Sequence, residues 1–257
     1  MKTIIVAIAV CMVTSLAAGT FIPLTSLEYS DIKDTSISLN WNSMLNLGSC
    51  VYEDNLWYSQ GIDRKSIGIP QLRIKQRITP KTVLGLQVMT ISRDENSAWM
   101  LNLNAKYQID KNEKMEIYIN PIVGYSQNRF LSSYNSPEPY WGQSNGKQES
   151  RAFTFLFPVI VHFPSSKITC SAKMGYSTLS AEARYNVSDL FEPVQYQDFE
   201  YGPWDIFNGG VTANIALEFG LFRVIPEIGL ECYQLIEHPD KDFRISPTAG
   251  LALSMSM

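Results

Sequence analysis

The stretch Trp99-Met100-Leu101-Asn102-Leu103-Asn104-Ala105-Lys106-Tyr107-Gln108-Ile109 puts an apolar residue at every odd position and a polar one at nearly every even position. Successive side chains of an extended chain point to opposite faces, so this beat divides the segment into one greasy face and one wet face. On that reading Met100, Asn102, Asn104, Lys106 and Gln108 share the wet face, while Leu101 and Leu103 share the other.

The same beat recurs along the chain. Thr82, Leu84, Leu86 and Val88 oppose Gly85 and Gln87, and Met115, Ile117, Ile119, Val123 and Tyr125 oppose Lys114, Glu116, Asn120 and Ser126. Phe153, Phe155, Phe157, Val159, Val161 and Phe163 oppose Thr154 and His162, although Leu156, Pro158 and Ile160 make that second face less polar than the rest. Ile168, Cys170, Ala172 and Met174 oppose Thr169, Ser171, Lys173 and Gly175. Further on, Val211, Ala213, Ile215, Leu217, Phe219 and Leu221 oppose Thr212, Asn214, Glu218 and Gly220, and the last segment sets Phe243, Ile245, Ala249, Leu251 and Leu253 against Arg244, Ser246, Thr248, Gly250 and Ser254.

A soluble sandwich also alternates, but it turns a heavily charged face to water. A soluble surface is usually about a quarter charged or more, whereas this whole chain is 18% charged. Its polar face is built mainly from Gly, Ser, Thr and Asn, which suits a crowded interior lined with polar groups. The pattern therefore predicts an all-β fold, a closed antiparallel transmembrane β-barrel with lipid outside and water inside.

The ends and the composition agree. Residues 1–19 carry a basic start at Lys2, an apolar run from Ile4 to Val13 and a small-residue exit at Ser15-Leu16-Ala17-Ala18-Gly19, the pattern of a secretory signal peptide. Residues 20–257 are then one barrel domain. Nothing after residue 19 approaches the roughly 20 consecutive apolar residues of a spanning helix, so membrane entry has to be by strands. A formal charge of −4 with scattered Lys and Arg offers no patch for nucleic acid. Cys50, Cys170 and Cys232 remain after cleavage, an odd number, and Cys170 and Cys232 fall on apolar registers as small hydrophobes. No Cys-x-x-Cys pair or His cluster calls for a metal or any other cofactor.

The connections alternate in length. Short turns are expected at Leu47 to Val51, Thr79-Pro80-Lys81, Asp110 to Glu113, Pro164 to Lys167 and Arg223 to Val224. Longer loops are expected at Gln60 to Lys65, Asp94 to Ser97, Asn128 to Glu149, Val187 to Asn208 and Glu237 to Asp242. With one further strand at about Thr20 to Glu28, the count is about twelve, with ten or fourteen within the same reading. Trp57, Tyr58, Trp99, Tyr125 and Phe243 fall near the proposed outer rim and Tyr107 and Phe163 near the inner one, where amphipathic rings favour the interface.

Together these features resemble the outer-membrane β-barrel proteins of Gram-negative bacteria, a likeness of class that covers nearly the whole mature chain. Such barrels commonly finish on an aromatic residue, whereas this chain ends Leu253-Ser254-Met255-Ser256-Met257. The resemblance implies residence in the bacterial outer membrane, with membrane lipids as partners.

Three functional classes follow from the residues. Arg73, Lys75 and Arg77 share one strand face, and Glu218, Glu227 and Glu231 share the polar face of two later strands; in a twelve-strand ring they fall on opposed walls. A transverse field across a pore selects on charge, so the leading expectation is a narrow channel for passive diffusion of small polar or charged solutes. The alternative is that these groups, with Lys106, Lys114, Glu116 and Lys173, pair through a narrow lumen and close it. In that case the long loops carry a binding or adhesive role through Tyr140, Trp141, Phe199, Tyr201 and Trp204. A hydrolase is the third class: His162 is followed two positions on by Pro164, and His238 sits with Asp240 and Asp242 in a polar turn, so no catalytic residues are assigned and the protein is expected not to be an enzyme.

Overall fold

The computed structural model describes residues 21–23, 35–46, 67–93, 96–135, 143–188, 195–236 and 244–256. The proposed signal peptide, the Leu47 to Val51 turn and the Gln60 to Lys65 loop lie outside these residues, as do Tyr140, Trp141, His238 and the aromatics Trp57, Tyr58 and Phe243. Among the described residues no helix is long and apolar enough to cross a membrane. The crossing is made by strands.

Among the described residues thirteen strands form one antiparallel sheet. In chain order they are β1 (Phe21–Pro23), β2 (Thr35–Asn46), β3 (Ile67–Thr79), β4 (Thr82–Arg93), β5 (Asn96–Lys111), β6 (Glu116–Ile119), β7 (Ile122–Asn135), β8 (Gln143–Phe163), β9 (Ile168–Ser188), β10 (Gln195–Ile215), β11 (Leu217–Phe219), β12 (Phe222–Leu235) and β13 (Arg244–Ser256). The sheet closes because β13 pairs with β2, and β2 with β3. Two of the wall's staves are interrupted: β6 and β7 both run between β5 and β8, and β10 and β11 both lie along β12. Among the described residues the closed wall therefore has ten staves, within the expected range of ten to fourteen. Of the stave expected from Thr20 to Glu28, Phe21–Pro23 form β1, which meets the far end of β2, Phe21 opposite Asn46; residues 24–28, and the strand expected between the Leu47 to Val51 turn and the Gln60 to Lys65 loop, lie outside the described residues.

The break between β6 and β7 has a local cause. Pro121 has no N–H to give the ladder, and the chain is held there instead by Asn120 N donating to the Pro158 carbonyl (2.9 Å) and Ala105 N to that of Pro121 (3.1 Å).

Short turns cluster at one end, which is the periplasmic end of such a barrel. Pro80-Lys81 joins β3 to β4, residues 112–115 join β5 to β6, residues 164–167 join β8 to β9, and Gly220-Leu221 joins β11 to β12. Asn112 builds its turn by accepting the backbone N–H groups of Lys114 and Met115, both at 2.9 Å. Gly220 takes φ +65, a conformation open to glycine without a Cβ penalty. This turn stands earlier than the expected Arg223 to Val224, so Arg223 lies inside the wall.

Above the membrane the difference is larger. The expected loops Asn128 to Glu149 and Val187 to Asn208 are mostly sheet: β7 pairs with β8 up to Asn135 and Gln143, and β9 with β10 up to Val187 and Gln195. Phe199, Tyr201 and Trp204 are therefore strand residues of β10. Beyond the lipid both faces of a strand are wetted, so the sequence loses the beat that marks strands inside the membrane.

The wall faces the way the alternation requires. Leu103 is 55% exposed and Asn104 only 9%, and the outward row Leu84, Val88, Leu101, Val123, Phe153, Phe155, Phe157, Val159, Met174, Val211, Ile228 and Leu253 forms a continuous apolar belt. Trp99 and Tyr125 meet at its outer edge, ring centroids 5.2 Å apart and tilted by 46°. Tyr107, Phe163, Phe219 and Phe222 are exposed at the short-turn edge.

Candidate functional site: the barrel lumen

Every even residue of β5 from Ala98 to Lys106 is buried inside the ring, and so are Gln71, Arg73 and Lys75 of β3, Val83, Gln87 and Met89 of β4, and Arg223, Ile225, Glu227 and Glu231 of β12. An open lumen of this size would leave its lining wet. Here Lys106 is 1% exposed and Gln71 and Asn40 are 0%, so the lining side chains cover one another.

They do so through a polar network that passes from stave to stave. Arg73 Nη2 donates to Gln87 Oε1 at 3.0 Å, and Gln87 donates in turn to the Gln71 side-chain oxygen. Asn104 Nδ2 donates to Asn120 Oδ1 at 2.7 Å, and the Lys106 ammonium lies 4.8 Å from the centroid of the Tyr118 ring. Tyr118 OH donates to Glu116 Oε2 at 2.5 Å, while Lys111 Nζ pairs with Glu116 Oε1 at 2.7 Å. Across β8, β9 and β10, Ser177 Oγ donates to Thr154 Oγ1 (3.0 Å) and Asn208 Nδ2 to Ser177 Oγ (2.7 Å). Lys173 Nζ pairs with Glu231 Oε1 at 2.8 Å, both side chains 2% exposed, and Asn214 Nδ2 donates to Glu227 Oε2 at 3.2 Å. A charge held this far from water requires a partner at contact distance.

Glycine makes room for one of these crossings. A Cβ at Gly210 would collide with the Glu231 carboxylate and stand 2.8 Å from the Leu230 carbonyl, so the missing side chain is what lets Glu231 lie across β10 towards Lys173 on β9.

Apolar side chains complete the filling. Leu156, Ile160, Met89, Met100 and Ile206 are buried inward, and Ala216, Ile225 and Ala252 form a small cluster. The apolar residues on the inner face of β8 are thus packing groups.

Of the residues expected to line the lumen, Arg73, Lys75, Lys106, Glu116, Lys173, Glu227 and Glu231 are buried there. Arg77 and Lys114 are exposed at the short-turn rim, where Arg77 Nη2 donates to the Pro80 carbonyl at 3.1 Å. Glu218 is also at that rim, bound to Lys167 Nζ (2.5 Å) and Arg223 Nε (3.4 Å). The expected opposition of a basic and an acidic wall is corrected: only β13 and β2 separate β12 from β3. Counting strands forward along the chain makes the two sets distant, whereas ring closure places β12 and β3 three staves apart, neither facing nor adjacent. The acid that was expected to face β3, Glu231, is engaged by β9.

The inward placement of Arg223 and the partners of His162 were not anticipated. Arg223 faces inward beside Glu218. His162 is buried between its register partners Glu116 and Thr169, with Nδ1 2.9 Å from Thr169 Oγ1. Among the described residues no group of three or more His, Cys, Asp or Glu is placed to hold a metal ion.

No protein-family profile and no curated protein matches this sequence. Solved outer-membrane structures show a distant similarity. The outer membrane protease OmpT from Escherichia coli is 10% identical with a TM-score of 0.46, the match covering 90% of this chain and 100% of that one. The translocator domain of the autotransporter NalP from Neisseria meningitidis is 9% identical with a TM-score of 0.43, covering 100% and 94%. The Pseudomonas putida toluene transporter TodX is 9% identical with a TM-score of 0.39, covering 88% and 68%. The class rests on the wall itself. A closed antiparallel barrel with an apolar outer belt, aromatic edges and short turns at one end is a Gram-negative outer-membrane β-barrel protein, in contact with membrane lipids.

Proposed function

We propose that this chain is a closed outer-membrane barrel whose work is done by the sheet it raises above the membrane, as a binding or adhesive surface. The observation that carries this reading is the contrast between a filled lumen and an extended outer sheet. β8 begins at Gln143, while the outermost apolar residue of its belt is Phe153. Those ten residues span roughly 30 Å along the strand at about 3.3 Å each. β7, β9 and β10 accompany it, and β10 brings Phe199, Tyr201 and Trp204 into this region. Aromatic residue types dominate many recognition surfaces for a protein partner, and β10 carries three of them in this stretch of its sequence. No catalytic step is assigned to the chain under this proposal.

The test is to shorten the β7–β8 and β9–β10 hairpins to the membrane edge and measure attachment of cells displaying each form to glycan arrays and host-cell protein arrays. Binding by the intact protein that is lost on shortening, with the barrel still heat-modifiable on gels, supports the reading. Binding retained without the hairpins, or none by the intact protein, overturns it.

A second reading, the narrow channel for small polar or charged solutes, is favoured by one observation: the lumen's charged lining, which buries Arg73, Lys75, Lys106, Lys173, Glu227 and Glu231. Liposome swelling with small sugars and amino acids tests it. Swelling above protein-free liposomes would favour conduction over display.

A further inference from the structure

Just above the girdle formed by Trp99 and Tyr125, the outward face of β7, β8 and β9 changes from apolar to charged. Trp99 Nε1 donates to Gln127 Oε1 at 3.2 Å, and Gln127 Nε2 donates to Glu149 Oε1 at 2.6 Å. Glu149 also accepts from Arg151 Nη2 (2.8 Å) and Nε (3.2 Å), and through its other oxygen from Arg129 Nη2 (3.2 Å). Arg151 Nη1 stands 3.9 Å from Glu182. One carboxylate thus gathers two guanidinium groups onto a single patch. Both arginine side chains remain about half exposed, 48% for Arg129 and 47% for Arg151.

The place of this patch decides what it meets. Arg151 is the next outward residue after Phe153 on β8, and Phe153, Phe155, Val123 and Tyr176 of the belt lie beneath it. Anything that lays acyl chains on that belt presents its head group at the height of Arg129 and Arg151. A guanidinium has five N–H donors in a planar fork, so each arginine keeps donors beyond those turned to Glu149, and their geometry matches phosphate oxygens. A strand wall wholly in water would have no reason to place such a pair directly above exposed phenylalanines.

We propose that Arg129 and Arg151, held by Glu149, form a binding site for the phosphate head group of an outer-leaflet glycolipid, with its acyl chains on the belt below. Arg129 and Arg151 donate to the phosphate oxygens, Trp99 and Tyr125 flank the junction between sugar and chain, and Glu149 fixes the spacing of the two cations. The site is separate from the outer sheet's tip and holds whether or not that tip binds a partner.

Native mass spectrometry of the folded full chain in detergent tests this, titrating lipid A that bears both phosphates and the same lipid with its phosphates removed. The intact protein should retain the phosphorylated lipid at least about tenfold better than the dephosphorylated one. R129Q/R151Q should retain the two alike, while K81Q/K114Q, which removes two charges at the opposite rim, should behave as the intact protein. Equal retention of both lipids by the intact protein, unchanged retention by R129Q/R151Q, or an equal fall in K81Q/K114Q overturns the proposal. Should R129Q/R151Q fail to fold, R129K/R151K keeps both charges but loses the planar fork. It should lower retention severalfold, and unchanged retention overturns the site.

Discussion

Replacing Lys173 by Met removes one half of the ion pair to Glu231 while keeping the volume of the stem. The magnitude follows from the surroundings. Both side chains are 2% exposed and the pair is 2.8 Å long, so neither charge has water to return to. Glu227 faces inward on the same strand and adds repulsion to any carboxylate left alone. Breaking a buried pair from one side costs about 3–5 kcal/mol, whereas the same change at a wetted pair costs about 0.2–1 kcal/mol. K173M is therefore expected to destabilise the barrel by about 3–5 kcal/mol, and K173M/E231L to recover most of that loss, since two apolar groups leave no orphaned charge. Reversible urea titration of the protein in thin-bilayer vesicles, followed by tryptophan emission, measures both. A loss below about 1 kcal/mol for K173M would mean that water reaches the pair, and would refute the filled lumen.

Other expected outcomes test different parts of the wall. In G210A the new methyl meets the Glu231 carboxylate and the Leu230 carbonyl; a loss of about 1–3 kcal/mol in the same titration is expected, and a neutral result would place the Glu231 side chain elsewhere. L103R sets a cation on the lipid face midway between Trp99 and Tyr107, with an expected cost of about 2–4 kcal/mol for folding into vesicles, while a cost near zero would remove Leu103 from the lipid. The hydrogen bond from Arg151, with those from Arg129 and Gln127, holds the Glu149 carboxyl below the usual glutamate range. The folded value is depressed, so its contribution is present above the ordinary glutamate pKa and is lost as pH falls through the folded value. Because both arginine partners are about half exposed the contribution stays under about 1 kcal/mol, and E149Q should flatten the acid limb of stability against pH by that amount; an unaltered limb would argue against the cluster.

How much of this was legible depended on where a residue sits relative to the lipid. On β5 one face meets hydrocarbon and the other the interior, so the contrast between Leu103 and Asn104 is written in the composition. On β8 above Phe153 that contrast is gone, and a paired strand reads as a loop. The turn at Gly220-Leu221 was misplaced towards Arg223 because the apolar beat runs on through Phe219 to Leu221, inside the turn itself. Closure is a different matter: β13 pairs with β2 across most of the chain, and no local pattern reports that pairing. The distance between Arg73 on β3 and Glu231 on β12 around the ring was therefore out of reach. One clue to the lumen was visible in Leu156, Pro158 and Ile160, which are too apolar for a wet channel and in the structure are buried in its filling.

The central claim is that the polar interior is closed by its own side chains. Single-channel recording of the purified full chain in planar bilayers under molar potassium chloride addresses it directly. The account predicts traces no different from protein-free bilayers. Reproducible discrete openings with a fixed ion preference would contradict it and restore the lumen as a path.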